Sequence, residues 1–333
     1  MKSTVALVTG GYSRESVISY KSALTIEKHL DADRFQVYKI AITPEGWYHE
    51  QGGKKWPVDR SDFSLEFQGK KIRFDVVFIG IHGTPGEDGK LQGYFDLLDL
   101  PYTSCDAATS ALTFNKRFTV AVAAFAGIRT ARSLHIYKPF PLTPDQILSQ
   151  LRLPVFVKPN NGGSSIGMSK INAASELPAA LVKAFQEDDQ VLVEEFIAGR
   201  EFTIGVYSHQ GQVRVLPITE IITKKDFFDY EAKYQPGFTE EVTPAKITDA
   251  LTQQLQQTAQ RVYQVFNCRG VVRMDFIYQS SEQQPYLLEI NTVPGQSEMS
   301  IIPQQVRSQG IKLNDFYTLL VEEALWRKKS AVS

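Results

Sequence analysis

The chain has 333 residues, 43% hydrophobic and 22% charged, an ordinary globular composition that excludes disorder, a fibrous repeat and a minimal disulfide scaffold. Its 36 Lys and Arg against 37 Asp and Glu leave a net charge of −1, so no whole-protein field holds a nucleic acid and any phosphate site is local. At roughly 150 residues per domain the length predicts two or three domains.

Residues 5–8 read as a buried strand, Gly10-Gly11 as its turn, and 16–30 as a helix with apolar residues at Val17, Tyr20 and Leu24. Further strands at 35–42 and 76–80 complete a doubly wound, parallel-sheet pattern. The polar, Gly-rich stretch 47–71 between them reads as hairpins or excursions rather than core. Residues 107–126 are helical in character, and Pro139, Pro141 and Pro144 then break the chain, which puts a domain junction near Cys105. A strand at 155–159 carries Lys158, a loop follows at 160–167, and a helix lies within 176–185. Strands at 191–197, 201–208 and 212–218 come in quick succession, as in an antiparallel sheet. Beyond a polar, aromatic segment at 223–238 come a long helix at 249–266, paired strands at 270–278 and 286–291, and a helix through 316–326.

Cys105 and Cys268 are far apart and form no CxxC pair, so reduced thiols are expected. The apolar run near the N-terminus is too short for a signal-peptide core, and the longest apolar stretch, at 120–128, is about half of the ~20 residues a membrane span needs. The expectation is a cytoplasmic protein with neither membrane nor nucleic acid as partner.

The sharpest local signal is Asn160-Asn161-Gly162-Gly163-Ser164-Ser165-Ile166-Gly167. Its glycines let backbone amides approach a ligand and its hydroxyls add donors, as a phosphate-gripping loop requires; the alternative is a plain Gly-Ser loop. It is not GxxxxGK[ST]. Arg273-Met274-Asp275 and Glu289-Ile290-Asn291 each place two polar side chains on one face of a strand. Two carboxylates and an amide oxygen are hard ligands suited to Mg²⁺ on nucleotide phosphates, or else members of a salt-bridged strand pair. Pro294-Gly295 turns backbone amides toward the same place, where they hold an oxyanion or merely reverse the chain. Gly10 to Glu15 sits at a helix N-terminus that favours an anion, and Glu15 is open to reading as a helix-start charge. His82 follows the 76–80 strand on the carboxyl edge where open α/β sheets bind ligands, or is a hydrogen-bonded loop histidine. A nicotinamide enzyme is disfavoured because GxGxxG is missing.

In order along the chain, GGxSxE, HGxxGEDGxLQG, Asn115-Lys116, Val157-Lys158-Pro159, Gly163-Ser164-Ser165-Ile166-Gly167-Met168-Ser169, Tyr230-Glu231-Ala232-Lys233-Tyr234 and Glu289-Ile290-Asn291-Thr292 with Pro294-Gly295 resemble the D-alanine-D-alanine ligases of the ATP-grasp superfamily. The resemblance runs from Gly10 past Ser300. It implies an α/β and α+β chain with a Rossmann-like N-terminal domain (1–104), a small central domain (105–194) and a C-terminal domain (195–333) carrying a mobile lid near 223–238. ATP would lie between the last two. It implies ATP-driven joining of two D-alanines through an acyl phosphate, with two Mg²⁺ ions (or Mn²⁺), in a homodimer formed through the N-terminal domain.

By the same resemblance, Lys116, Lys158 and Lys233 contact phosphates beside Ser164 and Ser165. Glu194, Glu195, Ile197 (by its backbone) and Glu201 hold adenine and ribose, and Asp275, Glu289 and Asn291 bind metal. Arg273 and the Gly295 amide stabilise the tetrahedral oxyanion. Glu15 takes the first substrate's ammonium and closes the site with Ser164 and Tyr234. His82 lies near the first D-alanine, and Ser300 and Ile301 receive the second one's carboxylate. Gln296 and Ser297 stand where many members have Met and Thr, and Ile18 where they have Val. The rivals are a D-alanyl-D-lactate ligase, which the Tyr230 to Tyr234 motif disfavours, and a nucleotide-binding regulator without catalysis.

Overall fold

The computed structural model describes residues 2–139, 141–163, 166–223 and 239–332. Strand β1 (Ser3–Gly10) opens the first sheet. After the glycine turn, helix α1 (Ser16–His29) returns the chain to β2 (Phe35–Thr43). The antiparallel strands β3 (Gly46–Gln51), β4 (Lys54–Asp59), β5 (Ser64–Phe67) and β6 (Lys70–Ile72) then extend that edge, and β7 (Val76–Ile79) lies on the other side of β1. The order is β6-β5-β4-β3-β2-β1-β7, with β1 parallel to both β2 and β7.

Two expectations are corrected here. The hairpins at 47–71 are not mere excursions: Val58, Phe63 and Leu65 are buried in one apolar cluster with Ile40 and Phe95. In α1 the apolar positions Val17, Tyr20 and Leu24 face outward, and the inner face is Ser19, Ser22, Ala23, Thr25 and Ile26. Hydroxyls hide an inward face from a periodicity reading, because a serine counts as polar wherever it points.

Helices α2 (Lys90–Leu97), α3 (Ala107–Phe114) and α4 (Lys116–Phe125) follow. Asn115 breaks the expected single helix at 107–126: its extended backbone ends α3, and its side chain accepts from the Phe118 amide to cap α4. Lys116 thereby opens a helix.

The second sheet contains β8 (Ser133–Tyr137), β9 (Val155–Pro159), β10 (Ser169–Ile171) and β11 (Gln190–Glu195) in the order β10-β9-β11-β8. Short helix α5 (Pro144–Leu148) opens on a Thr143/Gln146 capping box, and α6 (Leu177–Phe185) covers one face. The third sheet contains β12 (Arg200–His209), β13 (Gln212–Val215), β14 (Thr219–Thr223), β15 (Thr239–Val242), β16 (Val271–Gln279) and β17 (Gln284–Asn291), with order β15-β14-β12-β16-β17 and β13 on β12. Helix α7 (Asp249–Val265) packs on it, and α8 (Ile301–Ser308) and α9 (Leu313–Val332) end the fold. The strands expected in succession at 191–208 thus divide between two sheets.

Apolar clusters cut across the chain order. Cys105, Ala123 and Ile128 share a core with the third sheet, whereas Phe316, Tyr317, Leu320 and Val321 of α9 lie with Val5, Leu7 and Phe78 against the first. No helix among the described residues is long and apolar enough to cross a membrane.

Candidate active site

Two cavities of about 410 and 400 Å³ adjoin where the three sheets meet, and both are lined by Lys116, Gly162, Gly163, Glu201, Asp275 and Glu289. The first also receives Glu15, His82, Arg273, Asn291, Gly295, Ser300 and Ile301. Lys158, Glu194, Glu195 and Ile197 face the second, beside the apolar walls of Phe156, Met168, Phe196 and Leu288. Every expected site residue that is described therefore lines one of two neighbouring cavities. Ser164, Ser165, Lys233, Tyr234 and the expected lid lie outside the described residues, apart from Thr223.

Glu15 occupies the N-cap position of α1 without capping it through its side chain. Its carboxylate instead lies between two loops. A Cβ built on Gly83 would come 2.7 Å from Oε2, and one on Gly163 would come 2.8 Å from Oε1. Only glycine permits that approach, so the glycine loop and the first βα turn meet at this acid.

Antiparallel pairing of β16 with β17 sets Arg273 opposite Asn291 and Asp275 opposite Glu289, with a register shift just after Asp275. Arg273 donates from Nε and Nη2 to the two oxygens of Asp275 at 2.9 and 2.7 Å, and lies 3.4 Å from Glu289. Thr203 Oγ1 donates to Asp275 as well. Burial alone would lower the Arg273 pKa, but the carboxylates of Asp275 and Glu289 outweigh it and raise it, so the guanidinium stays charged. Among the described residues, no three His, Cys, Asp or Glu side chains converge as a metal cage. The donor set at hand is two carboxylates and an amide oxygen, which fits Mg²⁺ whose remaining ligands are phosphate oxygens and water.

In the second cavity Lys158 Nζ donates to Glu194 Oε1 at 2.5 Å, and both side chains are largely buried. Glu195 accepts from the Arg152 amide at 2.8 Å, which turns its carboxylate into a structural cap. Lys116 reaches the glycine loop from the opposite side, its Nζ donating to Gly162 O at 2.7 Å, while its amide donates to Asn160 O. Asn160 Oδ1 accepts from the next amide, Arg117, so α4 and the loop are docked together.

His82 is buried, and both ring nitrogens have partners inside the protein: Nδ1 is 2.7 Å from Val293 O and Nε2 is 2.9 Å from Ser22 Oγ. Burial lowers its pKa to about 4, helped by Arg273 and opposed by the Val293 bond. Glu87, unmarked in the sequence reading, is equally buried and lines the first cavity; it accepts from Gly83 N at 2.6 Å and Val293 N at 3.3 Å. Burial and then the nearby Glu15 push its pKa up. The signal for it was the HGxxGEDGxLQG motif, from which the sequence reading singled out His82 alone. Beyond Gly295, Ser300 occupies the N-cap position of α8 without a side-chain cap, its hydroxyl 2.7 Å from that of Ser297. Glu241 and Met299 also line this end, joined through Gln304, which donates to both.

The arrangement offers a metal-compatible meeting point for phosphates, where Lys116 faces Glu201, Asp275 and Glu289, flanked by a slot with apolar walls on one side and a polar chamber of about the same volume on the other. Family models described as D-ala D-ala ligase N-terminus and C-terminus match residues 4–105 and 114–322. The D-alanine–D-alanine ligase of Flavobacterium johnsoniae is 45% identical over 322 residues, covering 96% of this chain and 99% of that protein. That of Parabacteroides distasonis is 42% identical over 331 residues, covering 99% and 100%. Among solved structures, D-alanyl-alanine synthetase A from Vibrio cholerae superposes with a TM-score of 0.87 at 30% identity, covering 98% and 99% of the two chains. The VanG D-Ala:D-Ser ligase from Enterococcus faecalis does so with 0.85 at 29%, covering 98% and 100%. With both halves matched and full-length relatives above 40% identity, the chain belongs to the D-alanine–D-alanine ligase family, with the ATP-grasp fold.

Proposed function

We propose that the chain joins two D-alanines into D-alanyl-D-alanine at the expense of ATP, as a step in making peptidoglycan precursors in the cytoplasm. The observation that carries this reading is the single chamber in which Glu15, Arg273, Gly295 and Ser300 face one another across the border of the Lys116/Lys158 slot.

In the first step a D-alanine carboxylate oxygen attacks the γ-phosphorus of ATP, the bond to the β,γ-bridging oxygen breaks, and ADP leaves. Positioning and charge neutralisation do most of the work in such a transfer. Lys116, Lys158 and Lys233, with Ser164 and Ser165, hold the phosphates. Glu194, Ile197 and Glu201 hold the nucleoside; Glu195, with its carboxylate committed to Arg152, contributes through its backbone. Asp275, Glu289 and Asn291 would hold two Mg²⁺ ions, or Mn²⁺, which supply charge neutralisation on the phosphates. Glu15 takes the first D-alanine's ammonium, near His82.

In the second step the amine of another D-alanine, its carboxylate received at Ser300 and Ile301, attacks the acyl carbon. The resulting oxyanion lies against the charged Arg273 and the Gly295 amide, and phosphate leaves as it collapses. Tyr234 and Ser164 close the chamber with Glu15, and the lid keeps water from the acyl phosphate. The outward face of α1, with Val17, Tyr20 and Leu24 exposed, supports a homodimer through the N-terminal domain.

The test is ADP release with product identification in the presence of ATP and Mg²⁺. ADP appearing with D-alanyl-D-alanine, and not with L-alanine, is the expected result. ADP only when D-lactate or D-serine is added would reassign the second substrate, and none under any condition would leave a nucleotide-binding regulator.

A further inference from the structure

Gly295 sits in a short loop between β17 and α8, and both residues flanking Pro294-Gly295 are anchored to one side chain couple on α1 and the β7 loop. On one side, Val293 O lies 2.7 Å from His82 Nδ1. A carbonyl oxygen only accepts, so Nδ1 carries the proton and, in the neutral ring, Nε2 is an acceptor. Ser22 Oγ, 2.9 Å away, must then donate to Nε2. On the other side, the same Ser22 oxygen accepts from the Gln296 amide at 3.0 Å. Ser22 thus has its proton and a lone pair both assigned, and all three groups are buried. Glu87 adds a third anchor by accepting from Val293 N, and Ser19 Oγ accepts from His82 N.

We propose that Ser22 is a positioning residue for the Gly295 amide, acting on Gln296 directly and on Val293 through the fixed tautomer of His82. This rests on the placement of Gly295 at the oxyanion given above. His82, with both nitrogens engaged, serves the reaction by holding that loop. A hydrogen-bond donor aimed at a developing oxyanion must be fixed to within about half an ångström, and a loop pinned on each side of the donor residue by one hydroxyl meets that need. The inward serine of α1 is then explained: alanine would fill the space but release the Gln296 amide and leave His82 Nε2 without its donor.

The experiment measures ADP and D-alanyl-D-alanine in parallel for Ser22→Ala, Ser22→Thr and Arg273→Lys, with ATP, Mg²⁺ and D-alanine. In the parent protein the two products form in equal amounts. Ser22→Ala is expected to slow dipeptide formation about tenfold and to raise the ADP-to-dipeptide ratio, because acyl phosphate that is not captured hydrolyses. Ser22→Thr keeps the hydroxyl and is expected to stay near parity. A fall of ADP and dipeptide in step for Ser22→Ala, or equal uncoupling in the threonine variant, would assign the effect to packing and overturn the proposal. Arg273→Lys separates the two readings: uncoupling there with none in Ser22→Ala sinks the relay alone, whereas a fall in step in Arg273→Lys sinks the oxyanion assignment itself.

Discussion

Gly163→Ala offers a direct probe of Glu15 that leaves every charged group in place. The added Cβ would lie 2.8 Å from Glu15 Oε1 and 3.3 Å from Oε2, where ordinary contact begins at 3.4 Å. The carboxylate must therefore retreat by about 0.6 Å. Because the obstacle is the end of a flexible side chain, the fold loses little. An ammonium bound by Glu15 loses much of a charge-assisted hydrogen bond worth roughly 1.5–3 kcal/mol; half of that is about four- to twelvefold in affinity. The assay is coupled ADP release at saturating ATP over a D-alanine concentration series fitted to two subsites, with thermal unfolding alongside. A first-subsite KM about four- to twelvefold higher, with the KM for ATP unchanged and Tm within a few degrees, is expected. An unchanged first-subsite KM would refute the assignment of Glu15 to the ammonium.

Asp275→Asn keeps the shape but removes the anion that Arg273 grips with two bonds; ligation is expected to drop at least a hundredfold, and isothermal titration should show weakened Mg²⁺-dependent nucleotide binding. Lys158→Met leaves Glu194 without its buried partner, so the KM for ATP should rise at least tenfold and urea unfolding should shift by about 3 kcal/mol. His82, lowered to about 4 from 6.5, must take up a proton on unfolding at mildly acid pH. Its contribution to stability is complete above about 6.5 and is lost as pH falls from there toward 4, by about 3 kcal/mol in all; a His82→Gln variant should unfold with a flatter pH dependence over that window. Phe276→Ala, at a fully buried position in the third sheet's core, should cost about 3–5 kcal/mol by denaturant unfolding.

What could be read ahead of the structure, and what could not, follows from where specificity resides. Arg273-Met274-Asp275 and Glu289-Ile290-Asn291 were legible because strand alternation alone puts each pair on one face, and the β16/β17 register then brings the pairs together. The glycine loop was legible as a loop from its composition, which by itself left a phosphate grip and a plain Gly-Ser turn both open. The α1 interior was not, since Ser19 and Ser22 bury hydroxyls for His82 and Gln296 where a periodicity reading looks for leucine. Glu87 escaped notice because its burial depends on Val293, a residue brought in from the far end of the chain. The break between β11 and β12 was hidden too: both are apolar strands, and only the hydrogen bonds of Phe196 and Glu195 back to Pro154 and Arg132 show which sheet ends there.

Helix α9 covers one face of the first sheet, with Phe316, Tyr317, Leu320 and Val321 against Val5, Leu7 and Phe78. During synthesis Val5 leaves the ribosome long before Leu313 exists, so the part of that face which Ala23 and Ile26 of α1 and the following Leu30 do not cover waits bare while the two ATP-grasp sheets are still being made. Until α9 docks, the nascent chain has a sticky β surface of the kind that holdase chaperones bind. The first sheet therefore completes its packing only late in translation, and cutting the chain before α9 should yield insoluble protein rather than a trimmed enzyme.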